Sequence, residues 1–92
     1  MEEIKIEELT SEQIQELSSK IDMVRAFSSS IVAIGYDREK QILKVLFKGN
    51  SCYLYFNVEP DIWNNLSEAE SKGKYLREAV IKNKEKYKYI KI

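Results

Sequence analysis

Ile14, Leu17, Ile21 and Val24 recur three and four residues apart, the spacing of one apolar face of a helix over about residues 11–25. Thr10 and Gln13 stand just ahead as the N-cap and N3 residues of a capping box. Leu9 and Ile14 take the N′ and N4 places of a hydrophobic staple. Such a helix is amphipathic and needs a surface to lie on.

The period then changes. Ile31 to Tyr36 is rich in β-branched and apolar residues and reads as a strand ending at a Gly35-Tyr36-Asp37 turn entry. Leu43, Val45 and Phe47 alternate with Lys44, Leu46 and Lys48, as in a half-buried strand. Gly49-Asn50-Ser51 reads as a turn before a third strand over 52–57. Short connections make the three an antiparallel meander. Pro60 suits the first turn of a helix whose apolar face is Ile62, Trp63, Leu66 and Ala69, with Gly73 as a natural C′ residue. A second short helix over about 74–83 turns Leu76, Ala79 and Val80 inward. The expected fold is α+β: a three-stranded antiparallel β-meander packed by two C-terminal helices, with an additional N-terminal amphipathic helix.

Tyr53 and Tyr55, two apart on one strand, share a face. On an open face they form an aromatic platform able to stack bases; on a covered face they are core. Hairpin register decides between the two. A loop at 49–51 puts both on the apolar face with Phe47 and Val45. A loop at 49–50 puts both outside with Leu46 and Lys44.

Charge adds a second feature. The net charge is zero, yet residues 1–22 carry seven acids against two lysines, and residues 72–92 carry eight bases against two acids. The basic segment interleaves Lys72, Lys74, Arg77, Lys82, Lys84, Lys86, Lys88 and Lys91 with Tyr75, Tyr87 and Tyr89. Charge mixed with stacking groups in this way is what RNA contacts use. The bland reading is a solvated helix and tail, balanced by the acidic start. Both chain ends also look strand-like, Ile4-Lys5-Ile6 and Tyr87 to Ile92, so the two ends could pair and neutralise each other.

Catalytic chemistry finds little purchase. There is no His, the commonest general base and metal ligand, and the three glycines are scattered, so no phosphate loop forms. One Cys and no His do not make a structural zinc site. Cys52 reads as a small hydrophobe in its strand. The expectation is no enzyme, no cofactor and no metal. A single Cys fits a reducing compartment, no apolar run is long enough to span a membrane, and the start (Glu2, Glu3, Glu7, Glu8) is acidic where a secretory leader is basic. Cytoplasmic localisation is expected.

The motif Ser29-Ser30-Ile31-Val32-Ala33-Ile34-Gly35-Tyr36-Asp37 resembles the opening of the KTSC domain, which is named for the C-terminus of some lysyl-tRNA synthetases. The likeness continues through Leu43, Val45 and Phe47, the central Tyr53-Leu54-Tyr55, then Val58, Pro60, Leu66, Ala69 and Ser71-Lys72-Gly73-Lys74-Tyr75. It covers about residues 28–87. Two places depart from the family: Leu76-Arg77 stands where it usually has aromatic-Asn, and Leu54 where it often has a polar residue. The resemblance implies a small bacterial or phage domain, with RNA suggested as ligand by the synthetase context. The expected organisation is an N-terminal extension with the amphipathic helix (1–27) and a KTSC-like domain (28–92), in one folding unit. Two functions follow. One is RNA binding through Lys72, Lys74, Tyr75, Arg77, Lys82, Lys84 and Lys88. The other is a protein-interaction module, such as a phage accessory protein, whose N-terminal helix binds a partner or a second copy.

Overall fold

The computed structural model describes residues 4–92; Glu2 and Glu3 of the acidic start lie outside them. Five strands form one antiparallel sheet in sequence order: β1 (Met23–Arg25), β2 (Ile31–Asp37), β3 (Ile42–Phe47), β4 (Ser51–Tyr55) and β5 (Tyr89–Lys91). The three expected strands are the middle of this sheet, and two short strands extend it on either side.

Each short strand corrects an expectation. Helix α1 (Ser11–Ser19) has the capping box, with Thr10 Oγ1 accepting from Gln13 N–H and Gln13 Oε1 accepting from Thr10 N–H. It stops six residues short of the expected end, and the chain from Met23 pairs with β2 instead. Val24, read as part of the helix's apolar face, is therefore on an edge strand and 61% exposed. At the other end, β5 pairs with β4 and not with the N-terminus, where residues 6–8 form a single 3-10 turn. The two chain ends meet by packing, not by strand pairing.

That packing makes the sheet the middle layer of three. One face carries Ile34, Leu43, Val45 and Tyr55 under Leu66, Leu76, Val80 and Tyr87 of the C-terminal half. The other carries Ile42, Leu54 and Phe56, covered by Ile4, Ile6, Leu9, Ile14 and Leu17. Leu54, in the position that is often polar in KTSC domains, is fully buried beneath the N-terminal segment. Burying a side chain of this size is worth about 1.5–3 kcal/mol, so the extension and the apolar residue support each other. Lys44 shares this face and reaches its rim, where Nζ donates to the Ser18 carbonyl at 2.8 Å, near the electronegative end of α1.

Gly35 also differs from its expected role. It lies inside β2, and a Cβ there would collide with the backbone of Asp22 and meet Ile21 Cγ2 at 3.0 Å. The missing side chain lets the α1–β1 connection press onto the sheet.

Helix α2 (Pro60–Glu68) begins at Pro60 as expected. Its N-cap residue, Glu59, leaves the helix uncapped and instead accepts the Tyr87 hydroxyl at 2.8 and 3.1 Å. Gly73 is not a C′ residue. It lies near the start of α3 (Lys72–Leu76), where a Cβ would meet Ser30 Oγ at 2.6 Å. The helix runs on as a wider π turn over Arg77–Ile81, with Lys82 N–H donating to the Arg77 carbonyl at 3.0 Å.

Candidate functional site

The hairpin register settles the tyrosine question. Tyr53 lies opposite Val45, Tyr55 opposite Leu43, and Phe47 opposite Ser51. The loop is Lys48-Gly49-Asn50, with Gly49 and Asn50 both at positive φ (93° and 68°), a conformation these residue types tolerate best. Both tyrosines thus take the apolar face, as a loop at 49–51 would place them, but two strand positions further along β3, opposite Val45 and Leu43.

They are not equivalent there. Tyr55 is 5% exposed, and burial raises its pKa to about 12. Tyr53 is half-buried, and Tyr89 of β5, beside Tyr55 in register, is 50% exposed. The rings hold one another. Tyr53 meets Phe47 edge-on at 5.5 Å and Tyr89 edge-on at 5.6 Å, while Tyr55 is tilted against Tyr53 at 6.3 Å and Tyr89 at 5.8 Å.

The C-terminal half of the helix and the segment after it close this array into a cleft of about 440 Å³. Phe47, Tyr53, Tyr55 and Tyr89 form one wall, Val80, Ile81 and Tyr87 the other, and Lys48 and Lys84 stand at its rim. Among the described residues no carboxylate lines it. By register Lys91 lies opposite Tyr53, on the same face. The Tyr87 wall is fixed by its hydroxyl bond to Glu59, and Lys86 reaches the same carboxylate at 3.4 Å. Burial and that bond both raise the Tyr87 pKa.

The expected basic surface is divided by this arrangement. Lys84 joins Tyr53 and Tyr55 at the cleft, and Lys84 and Lys88 flank Tyr89 on its outer side, together with Ile6 and Glu7. Lys82 pairs with Glu78 at 3.4 Å. Tyr75 is half-buried and packs partly against the core. Lys72, Lys74 and Arg77 belong to the first part of the helix. At a rise of about 1.5 Å per residue, Lys74 is about 10 Å from Ile81. Lys72 Nζ is turned to the Ala69 carbonyl at 3.1 Å.

Phe47, Lys48, Val80 and Ile81 were not among the expected site residues. Phe47 reads in sequence as ordinary strand core; pairing with Ser51 at the sheet's end sets it diagonal to Tyr53, with ring centroids 5.5 Å apart. Cys52 is half-buried on the opposite face, with its thiol pKa raised by burial despite nearby Lys44. Among the described residues no group of three or more His, Cys, Asp or Glu is gathered to hold a metal ion, and no helix is long and apolar enough to cross a membrane.

Known proteins share this framework. A KTSC domain model matches residues 27–90, which take in β2 to β4, both C-terminal helices and the start of β5. A protein of Tsukamurella paurometabola is 45% identical over 49 residues, 53% of this chain and 73% of the relative. An uncharacterized protein of Stutzerimonas stutzeri is 41% identical over 51 residues, 55% of this chain and 72% of its own length. The crystal structure of a KTSC domain protein from Yersinia pestis is similar with a TM-score of 0.70 at 32% identity, over 78% of this chain and 97% of that one. With the family's span accounting for the sheet's centre and both walls of the cleft, this chain belongs to the KTSC domain family.

Proposed function

We propose that this protein is a non-catalytic module that binds RNA through its C-terminal Lys/Tyr face. The observation that carries the reading is the convergence of the central tyrosine motif and the basic C-terminal segment on one cleft: Tyr53 and Tyr55 from β4, and Lys84, Tyr87 and Tyr89 from the chain's end. Aromatic rings bordered by lysines suit a ligand that is aromatic and anionic at once. The acidic helix α1 covers the opposite face, and the sheet keeps its carboxylates away from the cleft, while Glu7, ahead of that helix, stands beside Tyr89, Lys84 and Lys88. Lys72, Lys74 and Arg77, toward the start of the same helix, add positive charge outside the cleft itself.

Fluorescence anisotropy with a labelled single-stranded oligoribonucleotide tests the reading. Affinity should fall steeply between about 50 and 200 mM salt, with a log–log slope near −0.7 per phosphate neutralised. Lys72→Ala with Lys74→Ala should weaken binding and flatten that slope. Salt-independent binding, or none at any ionic strength, overturns it.

The protein-interaction alternative loses its first motive, because Ile14 and Leu17 of α1 are packed on the sheet. What favours it instead is the β1 edge, where Val24 is exposed and Phe27, two residues past the strand, is 88% exposed with the Arg25 guanidinium over its ring. A stoichiometric protein partner retained after nuclease treatment, and lost on Phe27→Ser, would support that reading over RNA.

A further inference from the structure

We infer that the aromatic cleft takes one unstacked base of a single-stranded RNA, with the adjoining phosphate between Lys84 and Lys48. This rests on the RNA-binding reading and specifies how the ligand is held.

The size and depth of the cleft carry the first part. About 440 Å³ lies within the range of small-ligand sites and fits one nucleotide better than a length of helix. Tyr53 is half-buried and Tyr55 nearly fully so, which means a base must descend between β4–β5 and Ile81 to reach them. Bases in a duplex stay in their stack and present backbone instead. Tyr89, at the mouth, offers the most accessible ring. Its edge-on contact with Tyr53 and tilted contact with Tyr55 hold it in place before a ligand arrives, so little side-chain freedom is lost on stacking.

The chemistry of the rim carries the second part. Lys48 comes from the β3–β4 loop and Lys84 from the segment after the helix, so the two cations approach from different elements. Neither makes an ion pair within 4 Å among the described residues. The side-chain hydrogen bonds among those residues also leave the hydroxyls of Tyr53, Tyr55 and Tyr89 without an intramolecular partner. The Tyr55 phenol, with its pKa near 12, stays protonated and able to donate to a base edge or a ribose 2′-hydroxyl.

The full-length chain is titrated with a labelled oligouridylate, with the same strand annealed to oligoadenylate, and with inorganic polyphosphate as competitor. The single strand should bind at least about tenfold tighter than the duplex, and polyphosphate should compete poorly. Tyr89→Leu should weaken single-strand binding by about 5- to 150-fold with the salt slope unchanged. Tyr89→Phe, which keeps the ring, should retain affinity and shows that the loss is one of stacking. Lys84→Ala should lower both affinity and slope, whereas Lys40→Ala, at the opposite end of β3, should alter neither. If Tyr89→Leu binds like the parent while the Lys72, Lys74 double variant does not, the cleft inference fails and RNA binding stands. Equal affinity for duplex and single strand, or full competition by polyphosphate, also overturns it. If no RNA binds at all, both readings fail.

Discussion

Asn57 holds Ile4 by both of its backbone groups: Ile4 N–H donates to Asn57 Oδ1 at 3.0 Å, and Asn57 Nδ2 donates to the Ile4 carbonyl at 3.1 Å. One side-chain amide thus does for Ile4 what a neighbouring strand would do. Asn57 itself sits at φ 59°, a conformation Asn tolerates better than most residues. Asn57→Gly removes the two hydrogen bonds without backbone strain and should cost about 1–3 kcal/mol. Asn57→Ala loses the same bonds and adds about 1–2 kcal/mol of left-handed strain. Urea midpoints should rank parent, Gly, Ala in falling order; equal midpoints for the two variants would mean the φ constraint is not felt.

The two close-packed glycines should respond differently to the same change. Gly35→Ala places its methyl group against the Asp22 backbone, which cannot rotate away, and should destabilise by about 1–3 kcal/mol or more. Gly73→Ala presses on the Ser30 hydroxyl, which can rotate, touches Ser28 Oγ at an ordinary 3.5 Å, and gains up to about 1 kcal/mol of helix propensity. Thermal unfolding should show a clear drop for the first and little change for the second.

Alkaline pH should unfold the protein through its tyrosines. Burial raises Tyr36 and Tyr55 from 10.0 to about 12, and raises Tyr87 as well. Between those values the folded chain keeps protons that the unfolded chain releases. Stability is therefore complete below about pH 10 and falls as pH rises through the folded values. Phenolate absorbance should show these tyrosines titrating together with loss of structure. Tyr36→Phe with Tyr55→Phe should make the urea midpoint less sensitive to pH over this range.

Tyr87→Phe keeps the ring in the cleft wall and removes only the bond to Glu59. A hydrogen bond to a charged group is worth about 1.5–3 kcal/mol, and the half-exposed carboxylate places this one at the lower end. The expected loss is about 1.5 kcal/mol in chemical denaturation. Glu59→Gln, which can still accept, should cost less.

Local signals fixed much of this protein before tertiary structure entered. The Thr10–Gln13 box, Pro60 at a helix start, and the alternation of Leu43, Val45 and Phe47 each depend on contacts a few residues long, and each appears as its residues dictate. The tyrosine pair and the Lys/Tyr end are likewise plain in the sequence. Three outcomes were decided only in three dimensions. Val24 continues a helical period, but pairing with β2 captured it, because a strand's hydrogen bonds come from a distant segment that no local period encodes. Leu46 sits on the side of β3 expected to face solvent and the face of Leu54 was open, yet the N-terminal segment covers Leu54 on that same side, since what lies over a sheet depends on where another part of the chain returns. Tyr53 and Tyr55 could be core or platform while the hairpin register was open. The Lys48–Asn50 loop set that register, and β5 then placed Tyr89 beside them to leave a cleft. Sequence spacing determined which chemistry was available; non-local pairing determined which of it shares one site.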